Sequence, residues 1–304
     1  MCRVLAYLGQ PVLIDDLLFK PDSSLVRQSY DPKMLHMLNL AGFGMAAWDR
    51  GSHAPDVPFL YKVPSLPVFD QNLRSLALKV RSTCLLAHVR GVAFDAAAVV
   101  GPQNLHPFRY DGVRLALAHN GDLAGFAELK YDLLEHIRPE IARMIHGTTD
   151  SEWIYALLLS QLDDPGGQLS TDEIRRAVER TLSIIRRVRD GHRIATSSSV
   201  NLFMSDGNAL VATRFAFDFG CYGDKVHEAN LNYLSLWYTF GREYGLYEGE
   251  WKMVGGHHSY DSVMVASEPL TRDVSTWFEV PEYSMLFVAD DGNGRRVRTV
   301  PLYV

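Results

Sequence analysis

Short apolar runs, most of them ended by Gly, Asn or Asp, constrain the fold of this chain more than any other feature. They lie at 2–9 (CRVLAYLG), 42–48 (GFGMAAW), 83–89 (TCLLAHV), 113–119 (VRLALAH), 200–204 (VNLFM) and 209–213 (ALVAT), with later ones at 231–238, 262–266 and 285–289. Runs of this length between turn residues read as buried strands. Helical periodicity is clearest at 70–80, 150–162 and 172–189, and a shorter amphipathic stretch follows Asp122. The strands thus come in groups on either side of a helical middle rather than in strict β-α-β alternation. That order predicts a layered α+β fold and disfavours a doubly wound parallel sheet.

Local signals refine this. Thr149-Asp150-Ser151-Glu152 fits a capping box, with Thr149 as N-cap and Glu152 at the third helical position, ahead of the apolar face Trp153, Leu157 and Leu158. The segment Asp163–Ser170 (DDPGGQLS) reads as a loop between helices. Neither it nor Gly51–Pro58 has the length or composition of an interdomain linker, so residues 1–304 are expected to form one domain.

Composition removes several classes of function. Net charge is -6 and no Lys/Arg cluster forms a phosphate-tracking stripe, which argues against nucleic acid as a partner. No apolar run reaches the roughly 18 residues that span a bilayer. Arg3 is followed by a short apolar stretch, then Gln10-Pro11 and Asp15-Asp16, which is not a secretory signal. Cys2, Cys84 and Cys221 are odd in number and far apart, against both a disulfide framework and a cysteine zinc site. The expectation is a cytoplasmic protein with neither membrane nor metal.

Cys2 follows Met1 directly, at the start of the first strand. Loss of Met1 would leave a residue carrying a thiol and a free α-amine together. The thiolate is a nucleophile and the amine a base, with reference pKa values of about 8.5 and about 7.7–8.0. Position alone fits an inert thiol equally well. Attack on an amide carbonyl develops an oxyanion that needs donors already in place. Asn120-Gly121 closes the strand ending at His119, where an amide and a backbone N–H can serve, although Asn-Gly is also an ordinary turn. Arg90 ends the strand Cys84–Val89 and can grip a carboxylate with two parallel bonds, or form a surface ion pair. Asp150, in the first turn of a helix, can hold an ammonium or simply favour the helix dipole. Together these residues describe a site for the γ-amide of an α-amino acid, that is, glutamine or a γ-glutamyl compound.

MCRVLAYLG, LLAHVRG, NLHPF, AHNG and TTDSE occur here in order and at the rough spacing of the class II glutamine amidotransferases, which are N-terminal-nucleophile hydrolases. The chain resembles that family. Its stand-alone branch, which includes the γ-glutamyl amidohydrolase of ergothioneine biosynthesis and the amidotransferase-like subunit of fungal glutathione degradation, also carries runs like QSYDP at 28–32 and VASEPLT at 265–271 with Trp277 beyond. The resemblance covers residue 2 to about 280. It implies a four-layer αββα sandwich of two stacked antiparallel sheets, with Cys2 as nucleophile and Asn120 and Gly121 as oxyanion hole. It further implies Arg90 as carboxylate anchor, Asp150 as partner of the α-ammonium, and Asn104, His106 and Pro107 shaping the substrate pocket. Ser267-Glu268 would support the pocket from behind.

The sequence also departs from the family. After the anchoring Arg the family reads Arg-x-Ala-Thr, whereas here the run is Arg90-Gly91-Val92-Ala93. The branch's Asn-Ala-Asp-Gly-Phe-Gly becomes Asn39-Leu40-Ala41-Gly42-Phe43-Gly44, without the Asp. Losing a hydroxyl contact to a charged group costs roughly 1.5–3 kcal/mol. His257-His258 lacks an acidic or Cys partner at ligand spacing and is not read as a metal site. The aromatic stretch Tyr233–Tyr247 reads as core strand and hairpin.

The leading reading is an amidohydrolase that cleaves a γ-glutamyl amide through a thioester on Cys2, with no cofactor. One rival is a glutaminase subunit that hands ammonia to a partner synthase. The other is a non-catalytic binding descendant of the fold.

Overall fold

The computed structural model describes residues 2–34, 38–92, 99–219, 235–256, 260–290 and 294–304. Two antiparallel sheets carry the architecture. In the first, the order is β13 (Phe278–Glu279), β9 (Trp237–Gly241), β12 (Ser262–Ala266), β1 (Arg3–Leu13), β4 (Arg81–Val89), β2 (Phe43–Trp48) and β3 (Phe59–Val63). In the second, it is β15 (Arg295–Pro301), β14 (Ser284–Asp290), β7 (Leu210–Arg214), β6 (Ser198–Ser205) and β5 (Ala116–Gly121), with β8 (Ala216–Phe217) also on β6. A separate hairpin joins β10 (Glu243–Tyr247) to β11 (Glu250–Val254).

Three apolar clusters stack these elements into four layers. Along β1, Val4, Ala6 and Leu8 point between the sheets, where they meet Ala118 of β5, Phe203 of β6 and Ala212 of β7. Leu5 and Tyr7 point to the other face, against α1 (Ile14–Leu18) and α2 (Gln71–Ala77). The outer face of the second sheet, including Leu117, Leu202 and Phe287, is covered by α3 (Phe126–Leu134), α4 (Pro139–Ala142), α5 (Asp150–Ser160) and α6 (Thr171–Gly191). Each inner strand is buried on both faces, so its sequence is a continuous apolar run instead of an alternating one. The expected αββα sandwich is the observed one.

Several elements differ from expectation. β3 and β15, both sheet edges, lie outside the apolar runs read from the sequence: β3 is a short FLYKV segment whose Phe59 and Leu60 stay exposed, and β15 mixes three arginines with apolar residues. The strand expected from residue 113 begins at Ala116, because Val113 and Leu115 pack into the helical layer before the ladder starts. At α5 only half of the capping box forms. Thr149 accepts from Glu152 N at 3.3 Å, but the Glu152 carboxylate turns to His146 N and Gly147 N. The reciprocal box occurs at α6, between Ser170 and Glu173.

Candidate active site

The site lies where β1 begins and β4 and β5 end, near the start of α5. Cys2, 7% exposed, sits just ahead of β1, and its Sγ donates to Gly91 O at 3.7 Å. Burial raises the thiol pKa. The Gly91 bond and Arg90 lower it, and Asp150 raises it. The charges of Cys2 and Asp150 in turn favour the Arg90 guanidinium against its own burial. Cys2, Arg90 and Asp150 are thus brought into one electrostatic neighbourhood from three distant parts of the sequence.

Arg90 is buried, and its guanidinium donates to Val99 O at 2.9 Å. Among the described residues no carboxylate lies within ion-pair distance of it. The same carbonyl accepts from Asn104 Nδ2 at 3.1 Å, while Asn104 Oδ1 accepts from Thr148 N at 2.8 Å. The strand-end arginine, the NLHPF segment and the start of α5 are therefore locked together through Val99 and Asn104. Arg90 N and O also bond Gly42 O and Ala41 N, so Ala41, where the stand-alone branch has Asp, lies against the anchor.

Asp150 fixes the far end of β5. Its Oδ2 accepts from Leu123 N at 2.7 Å and its Oδ1 from Ser151 N at 2.7 Å. Asp122, just past β5, has its pKa raised by packing around the carboxyl and by the Asp150 charge, and lowered by His119. Because Asp122 reaches solvent, its proximity to Asp150 weighs more than its burial.

Asn120 is buried, 1% exposed, yet neither end of its side-chain amide bonds any described residue, and Oδ1 is fully enclosed. A buried amide with neither end used is costly, and it calls for a ligand or water as partner. The backbone of Gly121 is aimed by strand alternation. Asp122 N bonds Ser199 O of β6, and Leu117 N and O bond Phe108 on the opposite side. Gly121 shares the parity of Leu117, so its N–H faces the free edge of β5. Gly is required there, since a Cβ would lie 1.8 Å from Ser199 O and 2.4 Å from His119 Nε2. His119 is itself braced, with Nδ1 2.9 Å from Ser151 Oγ and Nε2 3.2 Å from Ser199 O.

His106 is fully buried. Its ring packs tilted against His88, with centroids 4.0 Å apart, and meets Phe108 edge-on at 4.7 Å. None of the four ring nitrogens of His88 and His106 makes a hydrogen bond of good geometry among the described residues, although the His119 backbone lies near enough to His88 to favour its protonated form weakly. Burial, then Arg90, lowers the His88 pKa to about 3, and His106 is also held well below its usual range. This has a consequence for stability. A histidine kept neutral in the fold lets the unfolded chain take protons first, so its stabilising effect is complete above about pH 6.5 and is lost as pH falls toward about 3. The protein is expected to lose about 2 kcal/mol per such histidine between pH 7 and pH 5. Urea melts of wild type and His88→Gln at both pH values check this, the variant losing less. Equal losses in both proteins would refute it.

Residues the sequence reading passed over complete the surroundings. Lys62 of β3 lies over the Phe108 ring at 5.3 Å, and burial lowers its pKa to about 8 against the opposing charge of Glu152. Arg3 binds the backbone of Cys2, and only its place beside the thiol could have marked it. Ala93, Cys221, His257 and His258 lie outside the described residues.

Two stacked antiparallel sheets between helical layers thus carry a strand-end thiol, an asparagine with an unengaged side-chain amide and a buried arginine. The family model for class-II glutamine amidotransferases covers residues 41–218, and the chain belongs to that family. It is 32% identical over 306 residues to a protein described as probable glutamine amidotransferase DUG3 of Saccharomyces cerevisiae, covering 95% of this chain and 82% of the yeast protein. The γ-glutamyl-hercynylcysteine sulfoxide hydrolase of Mycolicibacterium smegmatis is 25% identical, over 95% of this chain and 96% of that protein. Among solved structures, a glutamine aminotransferase class-II domain protein from Silicibacter pomeroyi superposes over the whole of both chains with a TM-score of 0.64 at 23% identity. The glutamine phosphoribosylpyrophosphate amidotransferase of B. subtilis gives 0.57 at 18% identity, this chain covering 50% of it. These structural likenesses establish the fold.

Proposed function

We propose that Cys2, once Met1 is removed, is the nucleophile of an enzyme that hydrolyses the γ-amide of glutamine or a γ-glutamyl compound. The observation that carries this is the convergence of Cys2, Arg90 and Asp150 on one electrostatic neighbourhood at the end of β5, beside the unengaged amide of Asn120. Arg90 takes the substrate carboxylate and Asp150 its α-ammonium. The Cys2 amine, through a water, accepts the thiol proton, which matters because burial alone disfavours the thiolate. The thiolate attacks the γ-carbonyl, and Asn120 Nδ2 and Gly121 N–H receive the oxyanion. The amine leaves protonated, and water cleaves the thioester. No step needs a cofactor. His106 shapes the pocket wall from inside through Phe108 and Gly44, against which its carbonyl packs closely.

The names of the relatives support this substrate class, since one is a γ-glutamyl hydrolase and another a glutamine amidotransferase. We take residues 1–304 as one catalytic domain, because the first sheet already combines strands from Arg3 to Glu279. A cytoplasmic location suits the free thiols of Cys2 and Cys84 and the lack, among the described residues, of a helix long and apolar enough to cross a membrane. With Ala41 beside Arg90 where the branch has Asp, a γ-glutamyl amide with a larger leaving group is expected to be turned over better than free glutamine. If glutamine is preferred over a whole panel, a subunit that supplies ammonia to a partner synthase becomes the better reading.

The test is labelling with diazo-oxo-norleucine followed by intact-mass and peptide analysis. The expected result is loss of one Met and one label per chain, on Cys2. Cys84 stays unlabelled, because burial holds its thiol at about 12. Label on Cys84 or Cys221 with Cys2 untouched would overturn the assignment.

A further inference from the structure

A nucleophile at the very start of a strand is poorly placed to stay still. Chain termini fray unless something ties them down, and a displacement of about 1 Å can cost about a hundredfold in rate. On one side of Cys2 the ladder is complete: β1 pairs with β4 from Arg3 opposite Val89 onward. On the other side the β1–β12 ladder stops at Leu5 opposite Ala266. From there to Cys2 the restraint comes from residues 267 and 268. Ser267 N donates to Val4 O at 3.0 Å, and Ser267 Oγ accepts from Val4 N at 3.0 Å. Arg3 and Glu268 then extend the tie to Cys2.

The pair is fully buried, with side-chain exposures of 2% and 1%. Arg3 Nε donates to Glu268 Oε2 at 3.2 Å, and Arg3 NH1 donates to the carbonyl oxygen of Cys2 itself at 3.1 Å. Glu268 is in turn fixed from several directions. Its Oε1 accepts from Ser23 Oγ at 3.2 Å and Lys33 N at 2.8 Å, and its Oε2 from Met34 N at 3.1 Å. A carboxylate gripped this thoroughly cannot swing, so the guanidinium bound to it is a rigid clamp on the residue before it. Buried ion pairs are weak evidence for stability, since apolar replacements of similar volume are often neutral. What an apolar pair could not supply here is the directional bond to Cys2 O.

We propose that the Arg3–Glu268 pair is the positioning device of the nucleophile: it fixes the Cys2 carbonyl and thereby the directions of the Cys2 amine and thiol. The proposal rests on Cys2 being the nucleophile, as argued above. Arg3 touches no reacting atom. It acts through the Cys2 backbone, whose orientation decides whether amine and thiol can exchange a proton and whether Sγ approaches the carbonyl held by Asn120 and Gly121.

The test compares wild type with Arg3→Lys and with the double variant Arg3→Met/Glu268→Leu. Lys keeps the charge opposite Glu268 but, as a single ammonium, cannot fork to Glu268 and Cys2 O in the same geometry. The double variant removes both charges, leaving neither one buried alone. Melting temperature, kcat and KM for a γ-glutamyl p-nitroanilide, and the pH profile of Cys2 labelling by diazo-oxo-norleucine are measured for each. The expected result is a melting temperature changed by a few degrees at most in Arg3→Lys and a kcat lower by about tenfold or more. KM stays within about twofold, and the pH midpoint of labelling moves. Label still goes to Cys2, only more slowly. Wild-type kcat and an unmoved pH midpoint in Arg3→Lys would overturn the proposal while leaving the nucleophile in place. If the double variant does not fold, Arg3→Lys alone decides. Failure of wild type itself to take label on Cys2 would overturn the nucleophile assignment, and the positioning role with it.

Discussion

Asn120→Ala is expected to lower kcat by about 10²–10³ with little change in KM, a loss of about 2.7–4 kcal/mol of transition-state stabilisation. The Asn120 side chain does little for the fold. Neither end of its amide bonds a described residue, so truncation breaks no internal hydrogen bond. The backbone role of position 120, its pairing with Asn201 of β6, survives in Ala. An effect on rate without a matching effect on melting temperature therefore isolates a donor used only in the transition state. Asn120→Asp sharpens the test, because it keeps the shape but sets a negative charge where the oxyanion forms, so its rate should fall below that of the Ala variant. Steady-state kinetics on both variants, with label stoichiometry at Cys2 as the control for an intact nucleophile, give the answer. An unchanged kcat in Asn120→Ala would return Asn120-Gly121 to the status of an ordinary strand-end turn.

The inner strands were legible in the sequence because both of their faces are buried. Residues 83–89 and 262–266 read as apolar runs for the same reason that they divide between two cores, with Leu86 and Val263 between the sheets and Leu85 and Met264 under α1 and α2. Edge strands lack that signal. β15 leaves arginines at the surface, and in β3 the charged Lys62 interrupts the run while its aliphatic stem is half-buried. The principal candidate residues were legible as motifs at strand ends. What binds them to one another was not. Val99 O is a backbone atom of an unremarkable residue, yet it accepts from both Arg90 and Asn104. Arg3 reads as a lone charge beside a thiol until Glu268, distant in sequence, closes on it. The tilted ring contact of His88 and His106 was equally out of reach, since it depends on how closely the segment before Phe108 packs on Gly44.

Arg90→Met is expected to divide stability from function in opposite directions. A buried guanidinium whose nearest fixed acceptor is one carbonyl, with burial holding its pKa below the usual arginine range, is a costly group for the free protein to keep. Met fills a similar volume without that cost. The melting temperature should therefore stay level or rise, the usual signature of a residue retained for binding and not for folding. For catalysis the change removes the one strong partner proposed for the substrate carboxylate. Truncating one side of a buried, hydrogen-bonded charge pair costs about 2–5 kcal/mol, so kcat/KM should fall by between about 30-fold and about 4,000-fold. Because the carboxylate is remote from the reacting amide, the loss should appear mainly in KM. It should also be the same factor for glutamine and for every γ-glutamyl amide tried, since all present the same head group. Thermal melts and kcat/KM across such a panel test both halves. A large drop in melting temperature would make Arg90 a structural residue. A loss confined to glutamine would mean that Arg90 does not read the head group all these substrates share, and the carboxylate would then have to be sought elsewhere in the pocket.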